Sequence, residues 1–290
     1  MSRSARQRVP RKGCLNPESD TCGPSRLPVA IIIPAEGAIL ERVLDTAHSI
    51  SPEGLSRHAY GQCDAAQMKT AWGQRRQRRF ALAEGGDVRA SAMQYDLSAV
   101  LDQQPVRVCG IARIFPQPAP AAGGPARELV DGLLEQAARG GAALALLFSD
   151  MNDEQQVAGF DAVPMTDVEI GVAEPPRRGA PMTLIRGGEE RDLAAIVMGR
   201  IRAEPFRFHL DRDVEFEPYA ITRKRLLAGL GAAGARQLHF FIAEEGITAA
   251  AYVAVSIVGA TWTVEECGDR DPSGARVVLA NAQMRPRPNV

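Results

Sequence analysis

A glycine-rich loop that runs into a helix is the part of this sequence best suited to chemistry. The loop contains Gly123 and Gly124, and an apolar stripe at helical spacing begins directly after it, at Ala126. The first N–H groups of a helix have no partner within the helix, and its dipole adds positive potential, so both favour a bound phosphate. Gly124 lets the backbone approach an anion closely, and Pro125 costs no helix hydrogen bond at that position. Taken alone, these residues indicate an anion site, although many strand–loop–helix units bind nothing.

Other reactive residues are scattered along the chain. It has five cysteines and four histidines, with no C-x-x-C pair and no spacing typical of zinc ligands, so we predict no metal site. Cys109 is interpreted as a small buried residue rather than a nucleophile, because no histidine or acid lies near it in sequence. The arginine run at residues 75–79 is interpreted as a solvated segment leading into a strand. The alternative is that these arginines bind nucleic-acid phosphates.

The elements that must position the loop follow from the apolar pattern. Three strands joined by short turns predict an antiparallel meander before the loop. A continuous apolar run after the helix predicts a strand buried on both faces in a parallel arrangement, which makes a βαβ unit. The predicted elements are a helix at 36–48, strands at 80–83, 88–101 and 106–115, a helix at 126–139 and a strand at 142–148.

The same order of elements is repeated after a segment rich in Pro, Arg and Gly at residues 174–182. Two helices and then strands near 238–243, 247–258 and 262–266 suggest a weak internal duplication whose second copy is shortened. We therefore predict a disordered leader at 1–35, a first domain at 36–173, a linker at 174–182 and a second, truncated half at 183–290.

Four segments of the first domain together resemble the core of the GNAT superfamily of acyl-CoA N-acyltransferases: residues 108–115, 124–130, 142–150 and 159–164. The resemblance implies an α/β (α+β) fold, with a GNAT-like mixed sheet, an antiparallel meander, a βαβ acyl-CoA loop and flanking helices. It also implies that the second half is an incomplete GNAT-like copy. The superfamily's pyrophosphate loop, of type Q/R-x-x-G-x-G/A, maps onto residues 121–126. Gly124 and Ala126 match that pattern and Ala121 departs from it.

The resemblance further implies transfer of an acetyl group from acetyl-CoA to a primary amine of a small molecule. The amine needs a base, the thioester oxygen needs a donor and the leaving thiolate needs an acid. By this resemblance, backbone N–H groups near Ile114 and Phe115 would serve the oxygen, and Asp150 and Glu154 are the candidate catalytic carboxylates. The candidate residues for binding acetyl-CoA are Ile114, Phe115, Gly123, Gly124, Ala126 and Arg127.

Two departures from the family pattern keep a second function open. The stretch 153–158, before Gly159-Phe160, contains no tyrosine to act as the acid, and the strand 106–115 contains no carboxylate. The alternative is therefore a catalytically degenerate GNAT-fold protein that binds CoA or a partner without turnover.

The composition and charge of the chain indicate which partners and which cellular location to expect. The 290 residues carry a net charge of -1, which gives no general attraction to nucleic acid or to an anionic membrane. No apolar run reaches the length needed to span a bilayer. The first 13 residues are rich in arginine without an apolar core, so a transit peptide is the alternative to a plain leader. We predict a cytoplasmic protein with no nucleic-acid or membrane partner, and an exposed sheet edge leaves a homo-oligomer open.

Overall fold

The structure is a computed structural model that describes residues 29–116, 124–148, 159–161, 163, 183–197, 207–271 and 274. Its described strands form two sheets flanked by helices, so the predicted mixed α/β fold class is confirmed. The helices are α1 (Gly37–Ile50), α2 (Arg57–Met68), α3 (Ala71–Arg76), α4 (Pro125–Arg139), α5 (Glu190–Val197) and α6 (Phe216–Leu230). The strands are β1 (Ile31–Pro34), β2 (Gln77–Glu84), β3 (Asp87–Leu101), β4 (Gln104–Phe115), β5 (Leu144–Phe148), β6 (Thr183–Gly187), β7 (Phe208–Asp211), β8 (Gln237–Glu245), β9 (Thr248–Val258) and β10 (Thr261–Asp269).

The first sheet has the order β1-β2-β3-β4-β5, with β7 paired to the far end of β3. Strands β2, β3 and β4 form the predicted antiparallel meander. Helix α4 packs its apolar stripe onto one face of this sheet, and Leu129, Val130 and Leu133 are fully buried there. Burial of each such side chain contributes about 1.5–3 kcal/mol, so this stripe fixes the helix against the sheet.

Strand β5 runs parallel to β4, as predicted, in a register from Val108↔Leu144 to Ala112↔Phe148. The expectation that it is buried on both faces is wrong. Among the described residues β5 is an edge strand, and Leu144 and Phe148 at its two ends are exposed. A continuous apolar run is compatible with either position, because the run records hydrophobicity and not the number of neighbouring strands.

The second sheet is antiparallel, with the order β10-β9-β8-β6. The predicted strands near residues 238–266 are confirmed as β8, β9 and β10, while β6 had no sequence signal. One face of the sheet packs against α5 and α6 through Leu193, Ile221 and Ile242.

The structure joins the two predicted halves through β7 and α6. Strand β7 lies beyond the predicted linker, yet it pairs with residues 98–101 of β3. Helix α6 packs its aromatic start against α3 and its later leucines against the cluster around Leu55 and Tyr60. The proposed boundaries at 173 and 183 stay a prediction, and these contacts connect the segments on either side.

Two parts of the N-terminal region differ from expectation. Ile31–Pro34, assigned to the leader, forms β1 and pairs antiparallel with β2. Helices α2 and α3 were not predicted at all. Each begins at a hydroxyl N-cap, where Ser56 accepts a hydrogen bond from Ala59 N and Thr70 accepts one from Gly73 N.

Candidate functional site

The site is built at the end of β4, beyond the last described pair of β4 and β5. Their register ends at Ala112↔Phe148, and β4 continues to Phe115 without a described partner on that side. Against β3, two residues of β4, Arg113 and Ile114, stand opposite one, which is a β-bulge. Arg113 has a φ of 51°, a left-handed conformation that is uncommon for a residue with a side chain. A bulge bends its strand, and Phe148 is the last residue of β5 that the structure describes before residue 159.

A cavity of about 780 Å³ lies at this end of β4. The end of β4, Phe148 of β5 and one face of α6 line it, together with residues from α2, α3, β3, β7 and the second sheet. Its volume is in the usual range for small-molecule sites. The segments before and after the predicted linker therefore both contribute walls to one cavity.

Tyr60, Arg113 and Glu53 form a connected group in the cavity wall. Arg113 Nη1 donates a hydrogen bond to Tyr60 Oη at 3.2 Å, and its other terminal nitrogen forms an ion pair with Glu53. Burial raises the pKa of the Tyr60 phenol, and the nearby Arg113 charge opposes this only in part. Tyr60 therefore keeps its proton at neutral pH, and it packs in the same apolar cluster as Phe115 at the end of β4.

An aromatic cluster forms another wall of the cavity. The ring centroids of Trp72 and Tyr219 are 4.4 Å apart, and those of Trp72 and Phe216 are 5.4 Å apart. Tyr219 Oη donates to Gln77 Oε1 at 2.7 Å, and burial raises the pKa of Tyr219 strongly. The Tyr219 hydroxyl proton is thus used in a hydrogen bond to Gln77, whereas among the described residues the Tyr60 hydroxyl proton has no acceptor.

Charged groups line the side of the cavity formed by α6 and the second sheet. Lys224 Nζ lies 2.6 Å from Glu265 Oε2, and Glu265 is the extra residue of a bulge in β10. Burial raises the pKa of Glu265, but hydrogen bonds from Lys224 and Ser256 outweigh it, so the pKa is lowered and the carboxylate is charged at neutral pH. Arg223 lies on the helical turn of Lys224, and Arg236 stands directly before β8.

The N-terminus of α4 has no side-chain cap among the described residues. Gly124 is the N-cap residue in an extended conformation, and Pro125 occupies the first helical turn. The helix end therefore keeps donors for an anion. A recess of about 820 Å³ beside it is lined by more carboxylates than arginines, and this excess of negative charge disfavours a phosphate on that side. The charged lining residues are Glu84, Glu128, Asp131, Glu135, Arg89 and Arg127.

The predicted site residues fall into three groups. Ile114 and Phe115 line the cavity, at the end of β4. Gly124, Ala126 and Arg127 are at the start of α4: the Ala126 side chain is buried in the core, and Arg127 Nε forms an ion pair with Asp131 at 2.7 Å. The remaining candidates, Gly123, Asp150 and Glu154, lie outside the described residues. Their predicted roles stay predictions.

Sequence reasoning missed the side chains that the fold brings to the cavity. Glu53 and Tyr60 come from the region before the meander, and Tyr219, Arg223 and Lys224 come from α6. A signal for α6 existed in its spacing, but no sequence pattern connects that helix to β4. Only the packing of α6 against α2 and α3 places these groups opposite the bulge.

The arginine run at 75–79 is engaged within the protein. Arg76 Nη1 lies 3.5 Å from Asp96 Oδ2, and Arg79 forms a buried ion pair with Asp64. The prediction that the run is solvated is wrong for Arg79, which is only 7% exposed. These internal pairs do not favour a nucleic-acid surface.

Three further observations concern other classes of site. Cys109 is buried, as predicted, at 4% exposure. Within the described ranges there is no group of three or more metal-ligating side chains. The described helices include none that is long and apolar enough to cross a bilayer.

Comparison with known proteins places the fold. No protein-family model and no curated protein matches the chain. Among solved structures, a protein from Enterococcus faecalis described as a probable N-acyltransferase is 11% identical with a TM-score of 0.59, over 87% of this chain and 61% of that one. A GCN5-related N-acetyltransferase from Kribbella flavida is 15% identical with a TM-score of 0.56, over 88% of this chain and 61% of that one. A GCN5-related N-acetyltransferase from Anabaena variabilis is 9% identical with a TM-score of 0.56, over 88% of this chain and 63% of that one.

These similarities establish the fold of the chain. It is the fold of GCN5-related N-acetyltransferases, the GNAT fold, which the resemblance in sequence had implied. The chain covers less than two thirds of the length of each of these structures.

Proposed function

We propose that this chain is an acyltransferase that moves an acetyl group from acetyl-CoA to a primary amine. The observation that carries the proposal is the bulge at Arg113 near the end of β4, where residues 112–115 line a cavity of about 780 Å³. On the β5 side, Arg113–Phe115 have no strand partner among the described residues, so their backbone groups are available in the proposal to a thioester, and the cavity offers room for an acceptor. The GNAT fold and the uncapped start of α4 support acetyl-CoA as the donor.

The reaction needs three events. The amine nitrogen attacks the thioester carbonyl, the carbon–sulfur bond breaks, and the amine loses one proton while the CoA thiolate gains one. Backbone N–H groups near Ile114 and Phe115 are the proposed donors to the carbonyl oxygen as it becomes negative. In the proposal, the diphosphate of CoA binds at the start of α4, through the backbone at Gly123, Gly124 and Ala126. The predicted Arg127 contact with CoA stays a prediction that requires its ion pair with Asp131 to open.

Tyr60 is the proposed acid for the CoA thiolate. Among the described residues its hydroxyl accepts from Arg113 and has no acceptor for its own proton. A buried phenol with a raised pKa keeps that proton at neutral pH and can offer it through a hydrogen bond to the thiolate as the carbon–sulfur bond breaks. This assignment supplies the acid that was missing from the stretch 153–158.

The base remains assigned by prediction to Asp150 or Glu154. Glu53 and Glu265 are the described carboxylates that line the cavity, and each is paired with a cation. A water chain to either of them is a second route for the proton of the amine.

The cytoplasmic location and the oligomeric state also stay predictions.

Two measurements on the full chain test the function. Acetyl-CoA should raise the melting temperature in a concentration-dependent way, because a ligand that binds only the folded state stabilises it. Thiol release from acetyl-CoA should then be measured across a panel of small primary amines, with a tertiary amine as the control acceptor. We expect both stabilisation and amine-dependent thiol release.

The outcomes separate the two functions. Stabilisation without thiol release from any amine would favour the degenerate protein that binds CoA without turnover. Absence of stabilisation together with absence of thiol release would contradict both.

A further inference from the structure

The charges that line the cavity do not balance. Among the described lining residues there are four cations and two carboxylates: Arg113, Arg223, Lys224 and Arg236 against Glu53 and Glu265. Two positive charges are therefore left without a carboxylate of their own. An excess of one sign in a concave site raises the local concentration of ligands of the opposite sign.

Within the described residues, Arg223 and Arg236 are the two lining cations that lack a close carboxylate partner. Arg113 already holds Glu53, and Lys224 already holds Glu265 at 2.6 Å. The described carboxylate that pairs with Arg223 is that same Glu53, at 3.9 Å, and the Arg223 side chain is 41% exposed. Arg236 forms no ion pair within the part of the chain that the structure describes, and it acts on Glu265 only at longer range.

Helix α6 gives the cavity two chemically different ends. Its lining residues lie on one face: Phe216, Tyr219, Ala220, Arg223, Lys224 and Leu227. At about 1.5 Å of rise per residue, Arg223 lies roughly 6 Å along the axis from Tyr219. A ligand can thus place an apolar part against the aromatic cluster and a charged part against the arginines.

We propose that the acceptor of this site carries an anionic group, a carboxylate or a phosphate, which Arg223 and Arg236 bind. This inference rests on the proposed acyltransferase function and names the class of its acceptor: an amine that also bears an anion. Arginine suits this role because its planar guanidinium binds carboxylate or phosphate through two parallel hydrogen bonds. The other source of such an anion is CoA itself, whose phosphates would compete for the same arginines.

The test compares acceptors that differ only in the anion. The probes are L-phenylalanine against L-phenylalaninamide, 6-aminohexanoate against 6-aminohexanamide, and O-phosphoethanolamine against ethanolamine. For the full chain we expect the anionic member of at least one pair to have a kcat/KM about tenfold or more above its neutral partner. Thermal stabilisation by the same probes without acetyl-CoA gives a readout that does not need turnover.

The variants are Arg223→Gln and Arg236→Gln, with Arg225→Gln as the matched control. Arg225 lies on the same helix but is exposed and does not line the cavity. Loss of a charge-assisted hydrogen bond corresponds to a change of about tenfold or more, so we expect each cavity variant to raise KM for the anionic acceptor by that factor. The Arg225 variant should keep the preference, and the Kd of acetyl-CoA should be unchanged in all three.

Three results would overturn the anionic acceptor: equal kcat/KM and equal stabilisation within every pair, a preference that survives both cavity variants, or a weaker Kd of acetyl-CoA in those variants. The last result would assign the arginines to CoA. If no amine releases thiol, the proposed function fails, and the stabilisation arm still decides whether the cavity binds the anion.

Discussion

At the scale of single residues, Tyr60 is the group whose chemistry can be tested most directly. We predict that Tyr60→Phe lowers kcat for thiol release by about a hundredfold, because a positioned proton donor contributes roughly 10²–10⁴ in rate. The Kd of acetyl-CoA should stay unchanged, since the hydroxyl acts on the leaving thiolate. Steady-state kinetics and a thermal titration measure the two quantities.

Tyr95→Phe is the control for this change. Tyr95 also lines the cavity, but its hydroxyl donates to the Met93 sulfur at 3.0 Å, so its proton is engaged in the wall. Its removal should change kcat by less than about threefold. Equal losses in the two variants would contradict the assignment of Tyr60 as the acid.

The direction of the Tyr60 pKa shift predicts how kcat depends on pH. Burial raises the pKa of Tyr60 above the ordinary 10.0 of a phenol, with Arg113 lowering it only in part. The acid is therefore protonated throughout the neutral range. Activity should not fall on the alkaline side below about pH 10 through loss of this proton.

At the scale of elements, a carboxylate placed at the start of α4 should have opposite effects on stability and on acetyl-CoA binding. We predict that Gly124→Asp stabilises the protein by about 0.3–1 kcal/mol, because a carboxylate at the N-cap satisfies helix N–H groups and complements the dipole. The same carboxylate should weaken acetyl-CoA binding at least tenfold, because it occupies the donors proposed for the diphosphate. Denaturant unfolding and a binding titration measure the two effects.

Gly124→Ala is the companion variant. A Cβ at Gly124 meets no atom within 4 Å, and its φ of -174° suits any residue, so the backbone should not change. Alanine adds neither a cap nor a charge. Stronger acetyl-CoA binding by the Asp variant would contradict the anion site at this helix.

The meander under the cavity is packed too tightly for a larger residue at Gly110. A Cβ there would lie 2.9 Å from Leu97 Cδ1, 3.2 Å from Tyr95 Cβ and 3.3 Å from Phe148 Cε2. Tyr95 Cβ cannot move without its strand. We therefore predict that Gly110→Ala lowers the free energy of unfolding by about 1–3 kcal/mol, measured by urea denaturation.

Gly229 in α6 provides the matched glycine. A Cβ there meets no atom within 4 Å, and alanine is the better helix former. Gly229→Ala should be neutral or stabilising by up to about 1 kcal/mol. Destabilisation of similar size in both variants would show that added volume at Gly110 is not the cause.

At the scale of the whole molecule, β7 and α6 tie the two sheets together. β7 completes the first sheet from a segment beyond the linker, and α6 contacts α2, α3 and β8. We predict a single cooperative unfolding transition. In a Trp262→Phe variant, where Trp72 is the remaining tryptophan, the fluorescence midpoint in urea should coincide with the far-UV circular dichroism midpoint.

Two separated transitions would contradict this coupling and would favour the division into independent halves that the sequence suggests. The response to acetyl-CoA gives a second test of this coupling. If the second sheet can unfold by itself, acetyl-CoA should not raise the unfolding midpoint of that sheet. A ligand that stabilises both signals equally would support one shared unit.

The elements were predictable where the apolar pattern was regular. The stripe at Leu129, Val130 and Leu133 marked α4, and period-two alternation marked β4. Helices α2 and α3 were missed because their apolar faces are weak, and their N-caps Ser56 and Thr70 are visible only after the helix is suspected. β1 and β7 were missed because four residues give too little pattern to distinguish a strand from a loop.

By itself, the sequence determined the local order of strands and helices, because that order depends on residues close in the chain, and its resemblance to a known superfamily implied the GNAT fold. It also marked Gly124 as the start of a helix with unpaired donors. The tertiary structure alone decided that Tyr60, Arg223 and Arg236 face the bulge at Arg113 in one cavity. These groups lie far apart in the chain, and no local pattern encodes the packing of α6 between two sheets that brings them together.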